Sequence, residues 1–437
     1  MNLSTFKGGT HPYDGKELSK SLPITELMPK GDIAISMSQH LGAPAKPLVA
    51  VGDRVLVGQQ IGEPAGFISA YVASSVSGKV KAIETRLMPG GNMAPCVIIE
   101  NDGLYETVEG LGTERDYTKM SKEEIRQAIK DGGVVGMGGA GFPTNVKVTP
   151  KDDSTIDYVL VNGAECEPYL TSDYRLMLEQ PEKLIGGLKI MLALFDNAKG
   201  IIGIEDNKPD CIEKLTQLVS NEPRIEVQPL KTKYPQGAER ALIYACTHRA
   251  INSTMLPADA GCVVDNVYTV ISIYNAVALT TPVIGRVVTV TGDCITKPQN
   301  FWVKLGTNFN ELVEAAGGYK KDPEKIISGG PMMGMAMFST DVPVTKTSGS
   351  ILTMSHDEVA AQEPTACIRC GRCVEACPSH LVPQIMVDYA ERNDIEGFKR
   401  VGGMECYECG SCTFVCPAKR RLTQTFKQAR AEARKRK

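Results

Sequence analysis

The sequence predicts a multidomain α/β and α+β chain assembled from unlike units. Three observations predict it. The 437 residues exceed what one hydrophobic core usually organises. Short β-type runs punctuated by glycine fill 31–100, whereas strand and helix patterns alternate from 125 to 247. Eight of the 14 cysteines fall between Cys367 and Cys416, in two runs of identical spacing.

Residues 1–28 are rich in Pro and Gly and read as an ordered arm rather than a domain. A β unit follows over 29–115. Val49-Ala-Val-Gly52-Asp53-Arg-Val-Leu-Val-Gly58 alternates apolar positions with turn glycines, and Ser74-Ser-Val-Ser-Gly78-Lys-Val-Lys-Ala-Ile83 answers it. The pairing resembles the flattened barrel-sandwich of lipoyl and biotinyl domains, which present a lysine on the hairpin between their halves. Here that hairpin reads Gly66-Phe67-Ile68-Ser69-Ala70. The expectation is a structural barrel without a swinging arm.

Residues 116–275 are expected to form a Rossmann-like nucleotide domain. Ser121-Lys-Glu-Glu124 is a capping box opening a helix over 125–130. Then comes Val134-Val135-Gly136-Met137-Gly138-Gly139-Ala140-Gly141-Phe142-Pro143-Thr144-Asn145-Val146-Lys147. Read as G-x-G-x-x-G after a strand it is a weak signal, and Pro143 fits badly inside a following helix. Four glycines in six positions do let a backbone approach a ligand and turn N–H groups toward an anion, and Lys147 adds a positive charge. The strand pattern over 156–161 runs into Asn162-Gly163-Ala164-Glu165-Cys166-Glu167-Pro168. Ligands bind at such strand ends in α/β domains. Helices are expected over 184–195, 212–219 and 234–247, strands over 200–204 and 225–230, and a loop at Asp265-Asn266-Val267-Tyr268-Thr269.

Residues 276–345 read as a β-grasp module, with a strand over 286–292, a helix over 307–316 and a strand at Lys325-Ile-Ile-Ser. Trp302, the single tryptophan, reads as packed core. A linker is expected over 340–362, and 346–437 should be a helical ferredoxin-like domain with a basic tail. Its cysteines read Cys367-Ile-Arg-Cys370-Gly-Arg-Cys373-Val-Glu-Ala-Cys377-Pro378 and Cys406-Tyr-Glu-Cys409-Gly-Ser-Cys412-Thr-Phe-Val-Cys416-Pro417. Each run is C-x2-C-x2-C-x3-C-P, the spacing of two-cluster bacterial ferredoxins, in which the fourth cysteine ligates the other [4Fe-4S] cluster. Cys367, Cys370 and Cys373 should therefore pair with Cys416, and Cys406, Cys409 and Cys412 with Cys377. Zinc is the alternative for thiolate sets of four, but it has no use for the third cysteine or the Cys-Pro. The other six cysteines are scattered singly, as buried thiols in a reducing compartment would be. The five histidines form no ligand pattern.

Lys and Arg number 48 and Asp and Glu 51, a net charge of -3. Against that balance, 419–437 carries nine basic residues and one acid, Glu432. This tail reads either as a solvated helix end or as a patch for an acidic partner or an anionic membrane surface. An acidic body without an aromatic platform argues against nucleic acid. The first residues lack an apolar signal core, and no stretch is apolar for long enough to span a bilayer.

Gly136 to Thr144, Lys147, Asn162-x-x-Glu165-x-Glu167-Pro168 and Asp265-Asn266-Val-Tyr-Thr269 together resemble the flavin- and NADH-binding subunit of respiratory complex I and of NAD-linked hydrogenases. With Phe6-Lys-Gly-Gly-Thr-His-Pro, Gln39-His40-Leu-Gly-Ala-Pro and the doubled cysteine motif, nearly the whole chain resembles the C subunit of the Rnf electron-transport complex. The resemblance implies that Gly136, Gly138, Gly139, Ala140, Gly141, Phe142, Lys147, Asn162, Asp265, Asn266 and Thr269 hold FMN, with Glu165 and Glu167 orienting NAD(H). There are departures from the family pattern. Met137 stands for an Arg, Ala164 for an Asp and Asp265 for an Asn. The implied activity is hydride exchange between NAD(H) and FMN, with single electrons passing through two [4Fe-4S] clusters. That makes the chain part of an NAD-linked oxidoreductase, seated at the cytoplasmic face of the membrane. Other Rnf-type subunits, including a ferredoxin-accepting iron–sulfur subunit, would be its partners. A soluble cobalamin reductase of a bacterial microcompartment shares the layout and is the alternative. An iron–sulfur docking protein with a vestigial flavin loop is a third reading.

Overall fold

The computed structural model describes residues 3–436; Met1, Asn2 and Lys437, parts of the expected arm and tail, lie outside them. The β unit is a barrel-sandwich of two antiparallel sheets. One orders Ile33–Ser36, Met93–Asn101, Gly78–Leu87 and Arg54–Val55, the other Lys46–Pro47, Gln60–Glu63 and Val72–Ala73. Ile33, Ile35, Ile61, Val72, Val80, Val97 and Ile99 fill the space between them.

The nucleotide domain is a parallel four-stranded sheet in the order Ile225–Leu230, Lys199–Glu205, Tyr158–Gly163, Cys262–Asn266. The chain adds two strands on one side of Tyr158–Gly163 and the last on the other. That reversal opens a crevice at the strands' C-terminal ends. The expected capping box is present: the Ser121 hydroxyl accepts from Glu124 N–H and the Glu124 carboxylate from Ser121 N–H, ahead of helix Lys122–Asp131. Two expectations are corrected. Asp265–Thr269 is not a loop but the end of strand Cys262–Asn266 running straight into helix Val267–Ala278, capped by the Asn266 side chain. The expected linker contains strand Ser350–Met354, which pairs with Gly285–Gly292 inside the β-grasp sheet.

That sheet has six strands in the order Thr25–Leu27, Gln299–Lys304, Gly285–Gly292, Ser350–Met354, Lys325–Ser328, Met335–Met337. Its first strand comes from the N-terminal arm. The last domain is helical, and Leu422, Phe426, Ala429 and Ala433 of helix Leu422–Lys435 face Met386, Val387 and Phe398. Their spacing is one helical stripe, so Lys427, Arg434 and Lys435 lie on its outer side, whereas Arg430 turns inward, donating to Cys406 O and pairing with Glu408 at 3.2 Å. Buried Lys346 joins three units: its Nζ donates to the carbonyls of Tyr71 (2.7 Å) and Gly133 (2.6 Å), and its N–H to Gln39 Oε1 (2.9 Å).

Helices Pro181–Ala193 and Val267–Ala278 cover the nucleotide sheet and touch at backbone distance. A β-carbon on Gly187 would lie 2.0 Å from the Val270 carbonyl oxygen. Gly187→Ala must push these helices apart and should cost about 1–3 kcal/mol. A lower urea midpoint for the full chain, read by circular dichroism, checks it.

Candidate functional site

The glycine loop lies at the crevice where the sheet order reverses. It is closed by its own backbone, Gly136 N–H donating to Phe142 O (2.8 Å) and Gly141 N–H to Gly136 O (3.2 Å). Among the described residues no strand leads into it, and the helix behind it, Thr144–Lys147, is a single turn. The Rossmann form of the motif is thus absent, for the reason Pro143 suggests. Thr269 anchors the loop from below: its buried hydroxyl accepts from Met137 N–H (2.9 Å) and donates to Val135 O (3.3 Å). Met137 points into the core, 2% exposed. Gly138, Gly139 and Ala140 are exposed, and among the described residues their N–H groups have no hydrogen-bond partner. A β-carbon on Gly138 would meet the Asn266 side chain at 2.8 Å, whereas one on Gly139 would stand in open space.

Lys147 lies beneath the loop. Its Nζ donates to Val264 O (2.9 Å) and to Asp265 Oδ1 (3.0 Å), leaving buried Asp265 Oδ2 without a partner. Burial alone would lower the Lys147 pKa, but Asp265 and Glu239 outweigh it and raise it. Burial raises the Asp265 carboxyl pKa against the pull of Lys147. Asn266 donates to Asp173 Oδ2 (2.6 Å), and Asn162 donates to Gly237 O (2.8 Å). Burial, then the Glu165 charge, pushes Asp173 up to about 7.

Glu165 and Glu167 diverge. Glu165 turns inward at a left-handed φ of 45°, accepts from Asp173 N–H (2.7 Å) at the start of helix Ser172–Glu179, and faces Lys16 at 3.8 Å. Its side chain is 3% exposed, so this carboxylate is engaged within the protein. Glu167 accepts from Met333 N–H (2.8 Å) and Met332 N–H (3.2 Å) of the β-grasp module, and Tyr234 Oη lies 3.4 Å from it. Burial pushes it up to about 7. Lys16, Lys208, Tyr234 and Glu239 were not legible as site residues. Lys208 Nζ donates to Ala164 O (2.7 Å) and is fully buried. Glu239 is open to solvent yet walled by protein, and this partial desolvation raises its pKa against the attraction of Lys147. The only signal for it was the turn Tyr234-Pro-Gln-Gly that opens its helix, Glu239–Thr247.

The cysteines surround two separate cavities. One is lined by Cys406, Cys409, Cys412 and Cys377, the other by Cys367, Cys370, Cys373 and Cys416. Each set takes three cysteines from one run and the last from the other. The two loops repeat one conformation: Arg369 and Glu408 both have left-handed φ, 56° and 59°, and point their N–H groups at Cys367 and Cys406 Sγ. Among the described residues no three Cys, His, Asp or Glu converge as they would on a single ion. Four thiols spread around each cavity fit the donor set of a [4Fe-4S] cluster. The environments differ. Cys377 and Cys409 are buried, and Cys409 O accepts from Tyr234 Oη (2.7 Å) of the nucleotide domain; Cys367 and Cys370 are exposed.

Known families match all four units: the Nuo51 FMN-binding domain over 129–275, the RnfC barrel sandwich hybrid domain over 4–104, the SLBB domain over 287–336 and a 4Fe-4S dicluster domain over 360–428. The chain is 44% identical to the C subunit of the Na(+)-translocating ferredoxin:NAD(+) oxidoreductase complex of Acetobacterium woodii, covering 99% of this chain and 98% of that one. It is 43% identical to the C subunit of the proton-translocating ferredoxin:NAD(+) oxidoreductase complex of Clostridium ljungdahlii, covering 99% and 94%. With the C subunit of the Vibrio cholerae ion-translocating oxidoreductase complex identity is 37%, over 90% of this chain and 51% of that one. An air-oxidised NAD+-reducing [NiFe]-hydrogenase shares the fold, with TM-score 0.52 and 18% identity over 74% of this chain and 67% of that one.

The free N–H row and the open space at Gly139 suit an anionic group such as the phosphate of FMN, while the unpartnered Asp265 oxygen suits a hydrogen-bond donor rather than the anion. Gly139→Ala fills space empty of protein. It should leave the flavin-free fold at wild-type stability and weaken FMN binding on the order of tenfold or more, since a methyl there overpacks the loop against its ligand. Flavin-fluorescence titration beside thermal melts checks both halves.

Proposed function

This chain belongs to the C-subunit family of the Rnf ion-translocating ferredoxin:NAD+ oxidoreductases, and from that premise we propose how its units share the reaction. It is a flavo-iron–sulfur subunit with FMN and [4Fe-4S] clusters. FMN, when bound, supplies the exchange between two-electron nicotinamide chemistry and one-electron carriers. The N–H groups of Gly138, Gly139 and Ala140 would hold the phosphate, because three unpaired donors on a glycine turn form an anion nest. Gly136, Gly141, Phe142 and Thr269 shape and anchor that turn. Lys147, Asp265, Asn162 and Asn266 line the crevice beside it. Glu239, solvent-open in the same crevice, and Glu167, at its border with the β-grasp module, are the carboxylates placed to orient NAD(H). Glu165 acts through the fold, by fixing the turn that carries Glu167.

The observation that carries this reading is the seating of the Cys377/Cys406/Cys409/Cys412 set against the nucleotide domain at Tyr234. Electrons from reduced ferredoxin, relayed by other members of an Rnf-type complex that include a ferredoxin-accepting iron–sulfur subunit, then enter at the exposed set and pass through the buried set to the flavin, and NADH drives the same path in reverse. No helix among the described residues is long and apolar enough to cross a membrane, so ion translocation belongs to those partners. Attachment at the cytoplasmic face through the basic outer side of helix Leu422–Lys435 completes the proposal.

Anaerobic purification with flavin and iron counted tests it. We expect one FMN and about eight irons per chain, with NADH bleaching both chromophores; a fully metallated chain that takes up no flavin overturns it. The pairing gives a sharper outcome. Cys416→Ser and Cys377→Ser should each lower iron to about four per chain. The cluster left in Cys416→Ser is the buried one and should resist chelator, while the one left in Cys377→Ser should be stripped quickly.

A further inference from the structure

The Phe6-Lys-Gly-Gly-Thr-His-Pro motif contributes nothing to the cofactor site as described. It lies where two domains meet. Lys231 N–H donates to Ser4 O (3.0 Å), and Thr10 and Tyr234 exchange backbone hydrogen bonds (2.8 and 2.9 Å), so the arm runs along the nucleotide domain. Between those points it turns toward the cluster domain, and Gly9 N–H donates to Ala376 O (2.9 Å). Neither glycine of the turn tolerates a side chain. Both have left-handed φ, 82° and 84°, and β-carbons would lie 2.7 Å from Cys377 O and 2.7 Å from Tyr234 O respectively. Lys233 clamps the turn from the other side: its Nζ donates to Gly8 O (2.9 Å) and to Phe6 O, and stands 4.1 Å from the Phe6 ring centre. Farther on, Lys16 Nζ donates to Leu170 O (2.6 Å) and Glu167 O (3.1 Å).

We propose that residues 4–16 are a positioning element of the electron path: the arm fixes the buried cysteine set, at Cys377 and through Tyr234 at Cys409, against the crevice turn that carries Glu167. This rests on reading that cysteine set as a cluster. One short segment therefore touches the backbone at a cluster ligand, the tyrosine that hydrogen-bonds a second ligand's carbonyl, and the carbonyl of a crevice carboxylate residue. Electron tunnelling falls steeply with distance, so loosening this contact should slow transfer to the cluster without touching flavin chemistry.

The test uses the full chain, reconstituted with iron, sulfide and FMN. Gly8→Ala forces the arm off Cys377; Lys233→Gln releases the clamp without adding bulk. Iron, flavin and the rate of flavin reduction by NADH should match wild type in Lys233→Gln, which verifies the underlying reading separately. Cluster reduction by NADH, followed by stopped-flow absorbance, should slow on the order of tenfold or more in both variants, the scale expected when a small displacement spoils positioning. Tyr234→Phe should shift the redox midpoint and electron-resonance signal of the buried cluster and leave those of the exposed cluster in place. Wild-type cluster reduction and signals in Gly8→Ala and Lys233→Gln overturn the proposal. So does Gly8→Ala failing to fold while Lys233→Gln behaves as wild type, because the arm would then serve folding alone.

Discussion

The turn after strand Tyr158–Gly163 carries carboxylates into the interior, and the fold is arranged to bring cations to it. Glu165 is buried, and so is the neighbouring Glu205. Isolated buried charges are prohibitive, and removing one partner of a buried pair costs about 3–5 kcal/mol. Lys16 arrives from the N-terminal arm and Lys208 from the turn after strand Lys199–Glu205, each buried and each donating to carbonyls of the same turn. Burial pushes Lys16 and Glu165 toward their neutral forms and their mutual attraction opposes it. Neither position is tenable alone. The arm therefore has to fold back over the crevice, and its strand Thr25–Leu27 then extends the β-grasp sheet.

The same logic explains two of the departures from the complex I pattern, Asp265 and Met137. Asp265 and Lys147 form an ion pair in which the carboxylate is buried and the lysine is partly exposed. Its charge is thus largely cancelled within the protein, and the attraction for an anion falls on the N–H row of the glycine loop. Met137 gives the loop an apolar foot in the core, where a charged side chain would need a partner.

What the sequence disclosed depended on range. The cysteine pairing follows from spacing within 12-residue runs, and the cavities are lined accordingly. Strand Ile225–Leu230 and the capping box at Ser121 were legible for the same reason: their signals are local. Strand Cys262–Asn266 was hidden because it is five residues long and enters a helix without a turn. Strand Ser350–Met354 was hidden because its mixed polarity reads as linker until a sheet closes on both sides. The direction of Glu165 was beyond reach: alternation places a side chain on one face of a strand, but Glu165 follows the strand in a left-handed turn that no pattern marks. Lys16 was farther still, since it lies 149 positions from the carboxylate it meets.

The two cysteine cavities show why a doubled motif is useful in a chain that handles electrons singly. Repetition produces two loops of like conformation, yet the rest of the molecule treats them differently. One loop is covered by the arm, Tyr234 and the Glu405 contacts to Arg240 and Ser253. The other keeps Cys367, Ile368 and Cys370 at the surface among Arg369 and Arg372. A carrier that exchanges electrons with a flavin without losing them to oxidants in solvent is best sheltered; a carrier that exchanges them with another protein has to reach the surface. A single site meets one demand at the expense of the other. Under the proposed pairing, exchanging the fourth ligand between runs would resolve this, because it would tie the exposed loop to the sheltered one through Cys416 and Cys377.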